Sequence, residues 1–501
     1  MTAPLYFDYA ATTPLDPRVA DAMRPWLGSQ FGNAGSTHAY GEQARAATEE
    51  ARAAVAALVG AAAREIVFTS GATEADNLAI LGLARGLRAQ PGGRWAHLVS
   101  ARTEHKAVLD PLRQLAREGH AVTWLDPDNN GVVSVEAVAS ALRPDTALVS
   151  LMHVNNEIGV IQDIAAVGAL CRARGIALHV DAAQSVGRIP VDVGALQVDL
   201  LSVSAHKFYG PQGCGALYVR TPWRALLQPL QFGGGQERGL RSGTLPVHQL
   251  VGLGAAARIA AREQHDEATR LLALRERLYA GIASLGGVML NGAGAARVPG
   301  ILNLSFAGVH GEALVASLAE LALSTSAACN ADSDETSYVL RAIGRELWLA
   351  QASVRLSLGR FTTTEHVDAA IAALHREVPR LRAVADFHDG GEAGWGVGEA
   401  GEGAAGTRVR WQLRCVEGRV VEARYRAFAS APVLAVCEWL ADSLRGRSLA
   451  AGLPGTPVDW TSQCAVPVEQ LGRLLTVEDA LRAAWEAAGS GRLSSGARLP
   501  A

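Results

Sequence analysis

The sequence predicts an α/β chain followed by a small α+β unit, and three observations carry that expectation. From about residue 16 to 385, short aliphatic and β-branched runs alternate with longer alanine- and leucine-rich segments of helical period, the pattern of helices layered on a sheet. Several of the short runs are apolar throughout, as strands covered on both faces are. Beyond about residue 408 the order changes to two strands followed by helices. A chain of 501 residues also exceeds what one hydrophobic core organises, so several domains are expected.

In chain order the predicted strands are EIVFTS (65–70), AHLVS (96–100), ALVSLMHV (147–154), ALHVDA (177–182), LLSVSAHK (200–207) and GALYVR (215–220). Predicted helices include Thr73 to Arg88, preceded by the glycine of SGATEADN, and a long segment from about Val251 to Leu285. Between Phe387 and Thr407 the chain turns glycine-rich and acidic, HDGGEAGWGVGEAGEGAAGT, and reads as a flexible linker with little to bury. After it, RVRWQLRCVEGRVVEARYRAF gives two strands about a Glu-Gly turn, and PVLAVCEWLADSLRG and VEDALRAAWEAAG give helices. The expected division is a catalytic unit over 1–385, a linker over 386–407, an α+β unit over 408–488 and a frayed tail over 489–501.

Composition removes several function classes. Lysine and arginine total 46 against 49 acidic residues, and no basic stripe interleaved with aromatics is visible, so nucleic acid is not an expected partner. No apolar run approaches the roughly 18 residues of a membrane span, and MTAPLYFDYAATTPLDP lacks the basic flank and apolar core of a signal peptide. A cytoplasmic enzyme is expected. The six cysteines, at 171, 214, 329, 415, 437 and 464, form no CxxC pair or dense framework, so neither a disulfide scaffold nor a metal site is indicated.

The strongest local signal is VDLLSVSAHKFYGPQGCGALYV (198–219), an apolar strand ending in Ser204, Ala205, His206 and Lys207 before a glycine-rich turn. A lysine at a strand end beside hydroxyl and imidazole groups suits a Schiff-base lysine next to a phosphate pocket, although a terminal lysine is more often simply solvated. Asp181 ends another apolar strand, where it can hold a pyridinium nitrogen protonated or cap a helix. Ala72 and Thr73 open a helix after small residues, where backbone N–H groups meet a phosphate. His105, just past a strand, can stack on a planar ring or move protons; most lone histidines do neither. Thr73, His105, Asn156, Asp181, Gln184, Ser204, His206 and Lys207 would converge along one sheet edge, where open α/β folds bind ligands.

The segments FDYAATTPLDP, FTSGATEADNLAI, TEHKAVLD, MHVNNEIGVIQDI, HVDAAQSVG, SAHKFYGPQGCGALY, GGGQERGLRSGTLP and SVRLSLGRFTT together resemble the NifS/IscS-type cysteine desulfurases. These are pyridoxal 5'-phosphate enzymes of the class V (fold type I) aminotransferase fold, and the resemblance covers about residues 5 to 380. Within residues 1–385 the resemblance implies a large domain over about 16–259 and a small one combining the N-terminal segment with about 260–385. It implies that Lys207 carries the cofactor, Asp181 meets the pyridine nitrogen, Gln184 the ring hydroxyl, and His105 stacks on the ring. It further implies that Ala72, Thr73, Ser204 and His206 hold the phosphate, with Thr244 contributed by the partner subunit of a homodimer. Asn156 and Arg355 match the positions that hold the substrate carboxylate. Cys329, in STSAACNADSDETSYVL, falls where the family keeps its persulfide-forming nucleophile. The implied reaction converts L-cysteine to L-alanine and passes sulfane sulfur through Cys329 to an acceptor, for iron–sulfur cluster assembly or other sulfur compounds.

The chain departs from the family pattern in two places. SAHK stands where SGHK is usual, and Asp332, Asp334 and Glu335 make the segment after Cys329 more acidic, which would raise the thiol pKa if they lie close. Residues 408 to 487 resemble, more weakly, the IscU/NifU-type iron–sulfur scaffold, but Ser430 and Arg473 occupy positions where that pattern keeps cysteines. Thiolates hold such clusters, so the unit is expected to be degenerate and to gate or recruit instead. Two competing readings are a selenocysteine lyase or other class V enzyme, and a non-catalytic sulfur-trafficking adaptor. The context of Cys329 opposes the first, and the intact Lys207, Asp181, His105 and Arg355 oppose the second.

Overall fold

The structure is a computed structural model that describes residues 3–93, 95–325, 336–385, 395–402 and 406–489. Strand β1 (Leu5–Tyr6) starts the described chain. The central sheet contains β2 (Ile66–Thr69), β3 (His97–Ala101), β4 (Ala121–Leu125), β5 (Thr146–Met152), β6 (Ala177–Asp181), β7 (Leu200–Ser204) and β8 (Gly215–Val219). Their spatial order is β2-β8-β7-β6-β5-β3-β4. Pairings from β7 through β4 are parallel, and β8 is antiparallel to both its neighbours. Helices such as Ala72–Ala89 and Ile164–Arg174 cover the faces, which is why β6, β7 and β8 are buried at every position. The edge strand β4 was not predicted, although its sequence AVTWL is largely apolar; at the sheet edge its first four residues are only half buried.

A second sheet is antiparallel and four-stranded, in the order β12 (Ser324–Thr325), β13 (Ser353–Ser357), β10 (Ile301–Phe306) and β9 (Val288–Leu290). Nearby, β1 pairs in parallel with β11 (Leu321–Ala322) and so returns the N-terminal segment to this unit. The helix Val247–Ile282 joins the two layers. Leu250, Leu253 and Ile259 pack with the core around the large sheet, while Leu271, Leu274 and Leu278 pack with the core around the small one. One continuous helix therefore fixes the spacing between the sheets. Among the described residues no helix is long and apolar enough to cross a membrane.

The C-terminal residues hold a core of their own, with Val409, Trp411 and Leu413 packed against Val436, Leu440, Leu474 and Leu481. Three antiparallel strands, β14 (Trp395–Glu402), β15 (Thr407–Val416) and β16 (Arg419–Phe428), carry the helices Ala431–Leu444, Pro457–Gln463 and Leu471–Gly489. The Glu417-Gly418 turn has both residues at positive φ, as a tight hairpin between twisted strands requires.

The expected linker needs correction. Residues 386–394 and 403–405 lie outside the described residues, but Trp395–Glu402 pairs along its whole length with β15. The glycines that suggested flexibility serve close packing instead. A Cβ on Gly396 would overlap backbone atoms of Ala484 and Ala488, and one on Gly398 those of Ala480 and Ala484, on the helix Leu471–Gly489. Most of the tail expected over 489–501 falls outside the described residues, and Gly489 is the last residue of that helix.

Because Gly398 sits backbone to backbone against this helix, Gly398→Val is expected to destabilise the C-terminal unit by about 1–3 kcal/mol, the usual cost of overpacking. Urea unfolding followed through the fluorescence of the buried Trp411 and Trp460 reads the effect, and an unshifted midpoint would contradict it.

Candidate active site

Five strands of the central sheet deliver polar residues to one edge as they end. After β2 the chain turns at Gly71 (φ +155°) into the helix Ala72–Ala89. Gly71 is where the conformation demands glycine: a Cβ there would stand 3.8 Å from Ser204 Oγ, in the space between the helix start and that hydroxyl. Gly215 opposes it so closely that a Cβ would run into the Gly71 backbone. After β3, His105 caps the helix Lys106–Glu118, its Nδ1 accepting from the Ala107 amide at 3.1 Å. Asn156 follows β5, and Asp181 ends β6. β7 stops at Ser204, earlier than the sequence suggested, and a single 3-10 turn over Ala205–Lys207 swings the lysine inward.

These residues line one cavity of ≈ 500 Å³, within the range of small-molecule sites. Ala72, Thr73, His105, Asn156, Asp181, Gln184, Ser204, His206, Lys207 and Arg355 all contribute to it. Thr244 is exposed and does not line it, and Cys329 lies outside the described residues. The segment bearing Thr244 is nonetheless tied to the site: Arg241 Nε donates to Glu74 Oε1 at 2.9 Å, and Ser70 N donates to Glu74 Oε2 at 2.8 Å.

Lys207 Nζ donates to the carbonyls of Ala10 and Ala11, at 2.7 and 2.6 Å. Gln184 Nε2 donates to Ala10 O at 2.8 Å, and its buried Oε1 has no hydrogen-bond partner among the described residues. Burial, then the neighbouring Lys207, pushes His206 down to about 4, so its ring is neutral at physiological pH. Burial also lowers His105.

Sequence reasoning missed the acidic layer beneath this surface. Burial raises Asp181 to about 6, with Asp76 adding to the shift; burial likewise raises Asp76 to about 7 and lifts Glu104 well above the carboxylate range. His179 Nε2, neutral through burial, lies 3.4 Å from Asp76 Oδ1 and 3.0 Å from Ser202 Oγ. The available signal was helical spacing: Asp76 falls on the buried face of Ala72–Ala89, next to Ala75 and one turn before Ala79 and Ile80. Asp8 was missed too. It accepts from Arg355 Nη2 at 2.8 Å and from Ser324 Oγ at 2.6 Å, while Arg355 Nη1 donates to the Asn156 carbonyl at 2.9 Å.

The donor set fits pyridoxal 5'-phosphate. A glycine-opened helix start with Ser204 and His206 suits a phosphate, Asp181 backed by further carboxyls suits a protonated ring nitrogen, and the orphaned Gln184 Oε1 awaits a donor or polar edge.

A family model, aminotransferase class-V, matches residues 5–370. Cysteine desulfurase IscS of Aeromonas hydrophila subsp. hydrophila is 56% identical over 385 residues, covering 76% of this chain and 94% of the relative. The enzyme of the same name from Serratia proteamaculans is 53% identical over 392 residues, covering 78% and 96%. Among solved structures, a NifS-like protein matches with TM-score 0.69 at 34% identity, covering 76% of this chain and 99% of its own. SspA in complex with cysteine matches with TM-score 0.64 at 38% identity, covering 72% and 100%.

The buried carboxyls give a pH signature. Asp76 keeps its proton in the folded chain up to about 7, whereas an unfolded aspartate releases it near 3.8. The folded state holds the extra proton between these values, so stability is lost as pH rises through that window. In cofactor-depleted protein, Asp76→Asn is expected to flatten the fall in urea midpoint between pH 4 and 7. An unchanged slope would place the proton elsewhere.

Proposed function

The chain belongs to the class-V aminotransferase family, and on that premise we propose that it is a pyridoxal-phosphate-dependent cysteine desulfurase of the NifS/IscS type. It converts L-cysteine to L-alanine and transfers the sulfur atom to an enzyme thiol, which becomes a persulfide and delivers it to an acceptor. The observation that carries this reading is the convergence of ten polar or helix-start positions on one cavity beside the start of the cysteine-bearing segment.

Pyridoxal 5'-phosphate, when bound, supplies the electron sink that makes the Cα proton acidic and weakens the Cβ–sulfur bond. Ala72, Thr73, Ser204 and His206 would hold its phosphate, Asp181 its ring nitrogen, Gln184 its hydroxyl, and His105 one ring face. Lys207 would anchor it, and its amine would move the proton at Cα. Arg355, almost fully buried and already fixed by Asp8, retains an Nε without a hydrogen-bond partner among the described residues, directed to a substrate carboxylate together with Asn156.

Cys329 is the proposed nucleophile. Ser324 pairs directly across from Arg355, so the chain leaves the described structure beside the substrate site. Four residues beyond Thr325 can span at most about 14 Å, which keeps Cys329 within reach of the cavity. Attack of its thiolate on the substrate sulfur forms the S–S bond as the Cβ–sulfur bond breaks, leaving alanine after proton return to Cβ. We assign a homodimer in which Thr244, exposed in its own chain, completes the partner's phosphate site.

The domain division proposed from sequence is retained, with β14 moved from the linker into the C-terminal unit. We assign that unit as a scaffold-like IscU/NifU module without cluster ligands. Ser430 is buried and its Oγ donates to Gln470 Oε1 at 2.6 Å, so a neutral hydrogen bond occupies the place of a thiolate.

Incubation with L-cysteine should yield alanine and sulfide. Cys329→Ala should keep the visible absorbance of bound cofactor and still bind cysteine, but lose sulfane sulfur; unaltered turnover would exclude this nucleophile. Arg355→Lys cannot reproduce a planar two-pronged contact and should lower kcat/KM by roughly 10–100-fold, an effect absent if the carboxylate binds elsewhere.

A further inference from the structure

A second cavity, of ≈ 390 Å³, lies where the unit built on the small sheet meets the C-terminal unit. One wall comes from His310, Ala313 and Trp348, and the facing wall from Arg426, Ala427 and Phe428. Two features of these walls point to a ligand.

The first is His310. It is only 7% exposed, and neither of its ring nitrogens has a hydrogen-bond partner among the described residues. A buried polar group without a partner is destabilising unless something else supplies one. Its ring packs edge-on against Phe428, with centroids 5.3 Å apart. Burial, reinforced by Arg473, pushes its pKa down to about 4, so it presents one donor and one acceptor as a neutral ring.

The second is charge. Three guanidinium groups line the cavity, those of Arg408, Arg410 and Arg426, against the single carboxylate of Glu399. Arg408 is paired with Glu399. Arg426 is half-buried and makes no side-chain hydrogen bond or ion pair with the described residues. The remaining lining is apolar, so the cavity joins a positive pole to an aromatic and aliphatic body.

We propose that this interdomain cavity binds a small organic anion with an apolar body: Arg426 takes the anionic group, His310 donates to it or to a neighbouring polar atom, and Trp348 and Phe428 cover the rest. Its location gives such a ligand a particular reach. His310 and Ala313 belong to the segment that runs into β11 and β12, ahead of residues 326–335, and Trp348 lies in the helix Leu347–Gln351 that follows them. The ligand would touch both flanks of the cysteine-bearing segment and none of the residues that line the cofactor cavity.

The test uses the full-length, cofactor-loaded protein and two probes, the anionic 1-anilinonaphthalene-8-sulfonate and the neutral N-phenyl-1-naphthylamine. The anion should bind once per chain, and the neutral probe at least about tenfold more weakly, as loss of a charge-assisted contact predicts. Arg426→Ala should weaken the anion by about tenfold or more, with circular dichroism unchanged. Equal affinity for the two probes, or undiminished anion binding by folded Arg426→Ala protein, would overturn the proposal.

Discussion

Arg355 and Asp8 face each other at 2.8 Å with side chains only 3% and 18% exposed, and through them four distant parts of the chain are joined. Asp8 brings the N-terminal segment, Arg355 brings β13, the Asn156 carbonyl brings the end of β5, and Ser324 brings the start of the cysteine-bearing segment. Removing one member of a buried pair leaves the other charge uncompensated, at a cost of about 3–5 kcal/mol. The pair therefore holds the site together before any substrate arrives. A guanidinium has five donors in a rigid fork, so Arg355 can make these structural contacts and still offer Nε to a carboxylate. Alignment of the two sheets rests on this side chain.

The layer beneath the cofactor site is built against the ordinary rule that buried charges are paired. Asp76, Glu104 and Asp181 are all almost fully buried, and burial raises the proton affinity of each; Asp76 adds to the rise at Asp181, and both add to that at Glu104, while the adjacent His179 is kept neutral by burial. Lys207 Nζ donates to the Ala10 and Ala11 carbonyls. A cationic ring nitrogen is the partner such a layer lacks, and its binding would draw Asp181 into the ionised form. Such local conflict is characteristic of functional sites, where the compensating group is a ligand.

The legible parts of the sequence were those whose signal is local. Apolar runs marked β2, β3, β5, β6, β7 and β8 to within a residue or two at most ends, because burial on both faces keeps most positions of such a strand apolar. The strand-end residues followed, since in a parallel sheet the strand ends share an edge. What escaped was set by long-range packing. Asp8 meets Arg355 across 347 positions, and nothing near either residue announces the other. Gly396 and Gly398 carried a composition signal for disorder, but the decisive fact was the approach of a helix nearly ninety positions later.

The C-terminal unit rests on the small-sheet unit through His310 against Phe428, while covalently tethered to it. Tethering raises the effective concentration of a module for its docking face to the millimolar range when the linker spans the gap, so a separate protein competing for that face meets a standing obstacle. If the module were a cluster-building scaffold, such proximity would favour direct delivery of sulfur to it. On the proposed scaffold-like assignment, Ser430, hydrogen-bonded to Gln470, and Arg473 would stand where thiols are kept, leaving no ligand there for an iron–sulfur cluster. On that same proposal, a module resting against the small-sheet unit is better suited to selecting which acceptors approach than to building a cluster.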